Sequence, residues 1–361
     1  MTIRRARYQC TATGRLCFPL DEQLALPAGE ITASLAQRVS HLATHMSFAE
    51  LQASAKLHYD ARLSDSVLNR LVQRVGGVAV GDEARRVAAL AAAGVGRDRE
   101  DQVPRRRVTA GPKRLYVSTD GVLYPSRNRE EIGGDRRRIV YQEMKCGSVF
   151  WQNQKGAWEK RVLNGREDAA TFGLRLWALA VECGLLAAGE VIFISDGGAW
   201  CETVRQGHFR DARRIVDWYH TAEHVWAAAR TLYQEEKVAG RWAGRCLALL
   251  REYSGIGLLR YLRRSHRARH DAAAAAALAE LIGYIEPRVA FMDYYEYRAG
   301  GYVIGSGLME ATCKQLVGQR LKGSGRQWSE TGAVGLATLI SYRLNGDWSA
   351  FWNTTPLRRA G

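Results

Sequence analysis

Three acidic residues stand where the surrounding sequence leaves a carboxylate free to act. "VIFISDGGAW" (191–200) runs β-branched and aromatic residues into Asp196 and two glycines. A run this short and this rich in β-formers is a buried strand, so the acid sits at its end. Gly197 and Gly198 let the backbone turn sharply where open α/β sheets place their chemistry. "RLYVSTDGVLY" (114–124) repeats the pattern, but apolar residues continue past Asp120, as in one arm of a hairpin. Glu310 follows the glycines of "YRAGGYVIGSGLMEATCK", on a helix that puts Lys314 one turn away. Each acid has a plain structural alternative. Strand-Asp-Gly junctions are often only turns, and an acid in a first helical turn is favoured by the helix dipole. If the three converge, they repel one another strongly unless cations lie between them. Such hard oxygen ligands suit Mg2+ or Mn2+. Two of these ions about 3.5 to 4 Å apart can activate a water or a 3′-hydroxyl and stabilise the leaving oxygen of a phosphodiester. Phosphoryl transfer on DNA is the reaction class that follows.

The elements around these acids have the order needed to bring them together. After the Asp120 strand come "RRIVYQEMKCGSVFW" (137–151) and "AWEKRVLNG" (157–165), alternating like antiparallel strands. An amphipathic helix over about 167–184 precedes the Asp196 strand, and a fifth strand is expected over "RRIVDWYH" (213–220). This is an α+β order consistent with a ribonuclease H-like sheet, in which the first strand and the strand after the first helix lie side by side. From 221 to about 296 the pattern is helical, an insertion that includes the Ala-rich "HDAAAAAALAELIGYIEPR". The core is therefore expected over 114–220, interrupted by the insertion at 221–299 and completed by 300–361. Upstream, 31–100 reads as a helical region, with one helix opened by Ser47 and a second by Ser64 or Asp65. That is helix-turn-helix geometry. The second helix carries Asn69, Arg70, Gln73 and Arg74, types that read base edges and hold phosphates; an ordinary helical hairpin with a solvated face fits equally. An Arg/Gly/Pro-rich stretch then reads as a basic linker at 101–113.

Bulk composition favours the same chemistry. The 361 residues carry 52 Lys and Arg against 37 Asp and Glu, a formal charge of +15, which favours a polyanionic partner, nucleic acid before a membrane surface. No run approaches a membrane span, and "MTIRRARYQC" lacks the apolar stretch of a signal peptide, so a cytoplasmic location is expected. The seven scattered cysteines imply no disulfide framework. Cys10 and Cys17 could form half of a metal site in the segment 1–30, but a six-residue gap with no second pair fits no standard zinc spacing.

The motifs "STDG", "SDGGAW", "DWYH", "GSGLMEATCK" and "RLKGSGRQW", in this order, resemble bacterial insertion-sequence transposases of the ISKra group, relatives of the Mutator-like DDE transposases. The resemblance runs from about residue 5 to 355. It implies a ribonuclease H-like core whose Asp-Asp-Glu triad is interrupted by a helical insertion, with Asp120, Asp196 and Glu310 as metal-binding catalytic residues. It also implies double-stranded DNA, the element's terminal inverted repeats and a target, as partners of a dimer or larger assembly, with no membrane role. Asp217 and His220 match the Asp/Cys-x-x-His motif of Mutator-like transposases; they are also a fitting pair to cap the next helix. Lys314, Arg320, Lys322 and Arg326 are basic, and "KGSGRQW" offers glycine flexibility and an aromatic platform in Trp328 for a DNA strand, although Trp328 also suits a core. In one respect the chain departs from the pattern: "CTATGRLC" puts Thr13 where family members carry the second Cys of a Cys-x-x-Cys. "HTAEH" (220–224) also matches the inverted zinc-peptidase motif, with Glu286 or Glu296 as a third ligand, but this leaves Asp120, Asp196 and the charge unexplained. "HLATH" and "HRARH" repeat the spacing without the Glu. A transposase-derived regulator and a ribonuclease H-like nuclease without strand transfer remain alternatives.

Overall fold

The computed structural model describes residues 6–14, 16–17, 19, 31–92, 111–131, 137–267 and 271–355. Most of the segment 1–30 and all of the expected linker before residue 111 lie outside them. Near the amino end, β1 (Tyr8–Gln9) pairs antiparallel with β2 (Leu16–Cys17). Cys10 is exposed and the side chain of Cys17 lies outside the described residues.

The alternating segments form one mixed five-stranded sheet. β3 (Arg114–Glu131), β4 (Arg137–Gln152) and β5 (Trp158–Gly165) pair antiparallel, and β6 (Glu190–Ser195) and β7 (Arg213–Val216) add in parallel, in the order β5-β4-β3-β6-β7. Between β5 and β6 runs α4 (Ala169–Glu182), and α5 (Ala199–His208) joins β6 to β7. The arrangement is an α+β fold compatible with a ribonuclease H-like core. The fifth strand is shorter than "RRIVDWYH" suggests. It stops at Val216 because Asp217 accepts the amide of Tyr219 at 2.7 Å and caps α6 (Trp218–Leu232), so His220 lies in a first helical turn.

The helical block expected after residue 220 consists of α6, α7 (Glu236–Arg267), α8 (Ala272–Ile285), a 3-10 segment Glu286–Phe291, and α9 (Tyr294–Ala299). It closes over half of one sheet face, burying Tyr116, Phe150, Ile192, Ile194 and Ile215. The other half of that face, Tyr124, Met144, Cys146 and Val162, lies under α1 (Ala33–Ala43), α3 (Asp65–Ala92) and the carboxy-terminal helices. The opposite face, with Leu115, Val117, Leu163 and Phe193, is covered by α4 and α5. A seam therefore separates two cores on one face of the sheet. α10 (Gly307–Cys313) lies along it, sending Met309 and Cys313 into one core and Leu308 into the other.

The upstream helices share the core. α2 (Phe48–Tyr59) opens on a capping box of Ser47 and Glu50, and α3 begins at Asp65. α3 buries Leu68, Leu71, Val72, Val75 and Ala79. It is tied to α4 by Arg86 on Glu182 at 2.6 Å and by Arg175 between Glu83 and Glu167. Its closest approach is to α12 (Glu330–Leu344): a Cβ added at Gly76 would lie 2.7 Å from the backbone of Gly335. The short α11 (Gln319–Leu321) and α13 (Trp348–Thr354) complete this core with Leu321, Phe351 and Trp352. No helix among the described residues is long and apolar enough to cross a membrane.

Gly76 and Gly77 give a matched pair of tests. Gly76→Ala forces backbone apart and is expected to cost about 1–3 kcal/mol. Gly77→Ala meets nothing within 4 Å and should stabilise by about 0.5–1 kcal/mol through helix propensity. Urea midpoints of the two variants check both signs; equal effects would contradict the packing.

Candidate active site

Strand register places the two aspartates. β3 and β6 run parallel with Ser118 opposite Ile194, and two residues further the same register brings Asp120 level with Asp196. Because side chains alternate along a strand, both carboxylates share the face of Tyr116 and Ile192, the face that carries the seam. β6 and β7 continue the row, with Ser195 opposite Val216, so Asp217 follows next to Asp196. Asp217 is only 4% exposed and its carboxylate is taken up by backbone amides of α6. It is the capping residue of the pair considered from sequence.

Each remaining acid is held by small, neutral donors. Asp120 accepts the amide of Gly121 at 2.7 Å and the thiol of Cys313 at 3.4 Å. Burial, with Asp196 nearby adding repulsion, raises its pKa above the usual carboxylate range. Cys146, its partner across β3 and β4, lies beside Cys313, and that thiol is held protonated by Cys146 and by burial. Asp196 accepts the amide of Gly198 at 2.8 Å, and Gly197 turns the chain with φ +80°, as the glycine pair suggests. The insertion grips this turn: Tyr284 donates to the carbonyl of Asp196 at 3.2 Å, and Arg288 donates to that of Gly197 at 2.8 Å.

Glu310 projects from the exposed side of α10, one turn before Cys313, so the helix that touches Asp120 also carries the third acid. Just beyond, the helix widens into a π turn over Lys314–Gly318, a distortion common at functional sites. Among the described residues, Asp120, Asp196 and Glu310 form no ion pair, although most other buried or half-buried acids here do. The donor set suits a hard divalent cation: carboxylates on facing elements, short of positive charge in a strongly basic chain. Among the described residues, no three His, Cys, Asp or Glu side chains already stand close enough to hold a metal ion.

His220 lies within electrostatic reach of Asp120, with its Nδ1 at 3.5 Å from Glu223. Its ring is 5.1 Å from that of His224, which stacks on Tyr284 at 3.8 Å; burial lowers the pKa of His224, leaving it neutral. "HTAEH" thus lies wholly within a helix, contrary to the strand end expected for His220. Its candidate third ligands are not gathered there, since Glu286 is paired with Arg263 and Glu296 is exposed on α9.

The expected DNA contacts divide. Lys314 and Lys322 are exposed, and Arg326 folds back on the carbonyls of Gln319 and Arg320. Arg320 and Trp328 are corrected: both are structural. Arg320 is 2% exposed, donates to the carbonyl of Ala43 at 2.7 Å and packs against the rings of Phe48 and Trp328. Burial lowers its pKa to about 10. Trp328 is 8% exposed and its indole donates to the carbonyl of Leu321. An arginine flanked by helix-forming residues gives no sign in sequence of whether it turns in or out. On α3, Arg70 and Arg74 are exposed, while Asn69 accepts from Gln73. Sequence also left Cys313, Tyr284 and Arg288 unnoticed. Cys313 was readable as the residue one turn after Glu310; Tyr284 and Arg288 carry no sequence signal of their target.

No protein-family model matches the chain, and no curated protein matches it. Among solved structures, the chain is similar to the P element transposase of Drosophila in a strand transfer complex. The two are 10% identical, with 92% of this chain and 84% of that one covered, at a TM-score of 0.31.

Two variants test this geometry. Arg320→Ala should cost about 2–4 kcal/mol of stability, read from urea midpoints, because it strips a buried hydrogen bond and two ring contacts. Asp120→Asn should raise the thermal midpoint at neutral pH without divalent ions. With its pKa raised on folding, the folded state binds the proton more tightly, so stability falls as pH climbs through that value. The gain should vanish below about pH 4, where the unfolded carboxylate is also protonated.

Proposed function

We propose that the protein is a DNA transposase of an insertion sequence, binding terminal inverted repeats and catalysing metal-dependent strand cleavage and strand transfer through Asp120, Asp196 and Glu310. The observation that carries this reading is the row of strand-end acids. Asp120 and Asp196 are level on adjacent parallel strands, face the same seam as the Glu310 helix, and form no ion pair among the described residues of a chain of formal charge +15. A protein that invests so much positive charge and spares these acids leaves them for a cation brought from outside.

Mg2+ or Mn2+ held by Asp120, Asp196 and Glu310 would activate a water or 3′-hydroxyl for attack on a phosphodiester and stabilise the leaving oxygen. The chain's own groups prepare that event. Cys313 and the amide of Gly121 orient Asp120, and the Tyr284 and Arg288 contacts fix the Asp196 turn. His220, half-exposed beside the row, is placed to donate a hydrogen bond to a phosphate oxygen. Lys314 and Lys322, exposed after Glu310, supply charge to the DNA backbone, and Arg70 and Arg74 on α3 supply a second basic face for terminal-repeat binding. Two element ends must be held together for transfer, so the working form is a dimer or larger assembly on DNA.

The test is cleavage and joining of a labelled linear DNA carrying the element's terminal repeats, with and without Mg2+ or Mn2+. Asp196→Asn should reduce both steps to background while leaving DNA binding intact. Lys314→Ala with Lys322→Ala should weaken binding and lower the salt slope by up to about two. Cleavage without joining would instead identify a nuclease, and binding with no cleavage in the wild type a regulator.

A further inference from the structure

Beside the row of acids opens a groove of about 500 Å3, within the range of small-ligand sites, lined among others by Trp218, Tyr219, Arg251, Arg298, Gly305 and Leu308. Two of its lining residues stand close to the acids in the chain: Trp218 follows Asp217, the neighbour of Asp196 in the row, and Leu308 stands two residues before Glu310.

Tyr219 is 56% exposed. Its ring lies directly on the backbone of Gly305, where an added Cβ would come within 2.4 Å of a ring carbon. The glycine thus allows the ring to lie across the chain as a fixed, open platform. Arg251 sits over the ring of Trp218 at 5.6 Å, and neither Arg251 nor Arg298 has an acidic partner among the described residues. Two guanidiniums and an exposed ring around one groove match an anion attached to a flat π-face, which is a nucleotide. A base inside a duplex has both faces covered by its neighbours, so only an unpaired base can stack on Tyr219.

We propose that this groove holds one unpaired nucleotide of a DNA strand passing the acids, its base stacked on Tyr219 and its flanking phosphates on Arg251 and Arg298. The inference rests on the reading of the protein as a DNA-processing enzyme and adds to it a preference for locally opened DNA.

Two DNAs of equal sequence test it, one with a short single-stranded overhang carrying 2-aminopurine and one fully paired with 2-aminopurine at the same position. Wild type should quench the overhang probe and bind that DNA more tightly. Tyr219→Ala should abolish the quenching and lose about tenfold in affinity for the overhang DNA alone, with the thermal midpoint unchanged. Tyr219→Phe should keep both, since the ring and not the hydroxyl stacks. Arg251→Ala with Arg298→Ala should weaken overhang binding and flatten its salt dependence. Equal losses on both DNAs, or none, in Tyr219→Ala would overturn the proposal. Wild-type binding to paired and overhang DNA alike, without quenching, would overturn the groove alone; failure to bind either DNA would overturn the DNA reading with it.

Discussion

The fold holds two like charges in register. Parallel strands β3 and β6 cannot slip by one residue without turning every core side chain to the wrong face, so Asp120 and Asp196 cannot drift apart to relieve their repulsion. Burial first, and then the neighbouring Asp196, raise the pKa of Asp120, and among the described residues no arginine or lysine forms an ion pair with either acid. The surrounding structure accepts this destabilisation and builds around it. That is what the proposed active site requires, a local cost compensated by packing elsewhere.

Elsewhere the packing is extensive. Both halves of the acid-bearing face are covered, one by the insertion and one by the upstream and carboxy-terminal helices, with the seam between the two cores. α10 spans that line and belongs to both cores, which ties the position of Glu310 to both at once. The insertion contributes more than cover. By hydrogen-bonding the carbonyls of Asp196 and Gly197, Tyr284 and Arg288 link the helical block to the turn that carries this acid, so a shift of the block would be felt at Asp196. Capping reinforces the arrangement: Asp217 uses its charge to start α6 and thereby aims Trp218 and Tyr219 at the adjacent groove.

Much of this was legible in sequence because it depends on local pattern. Alternation identified β4, β5 and β6 nearly to the residue and the start of β3, which runs on to Glu131, and Ser47 marked the start of α2. The strand order, taken as a ribonuclease H-like sheet, led to the expectation that Asp120 lies beside Asp196, and the register of β3 and β6 agrees. What failed was decided by tertiary contact. Asp217 reads as the end of a strand until its carboxylate is seen to take the amide of Tyr219. Arg320 and Trp328 read as a DNA grip until α1 and α2 close over them, because an arginine is equally at home in water or under an aromatic ring. The polar face of α3 was visible, but nothing in its sequence tells that the opposite face lies against Gly335. Thiols at Cys146 and Cys313 meet Asp120 across long sequence separations, which a period of two or 3.6 residues cannot encode.

The central claim is that Asp120, Asp196 and Glu310 together hold a divalent cation. Titrating Mn2+ into the protein and following the free ion by electron paramagnetic resonance reads that claim without relying on DNA or on turnover. Wild type should take up Mn2+ and release it to Mg2+, while Asp120→Asn, Asp196→Asn and Glu310→Gln should each weaken uptake sharply with the fold intact. Uptake in Asp120→Asn equal to wild type would contradict the account.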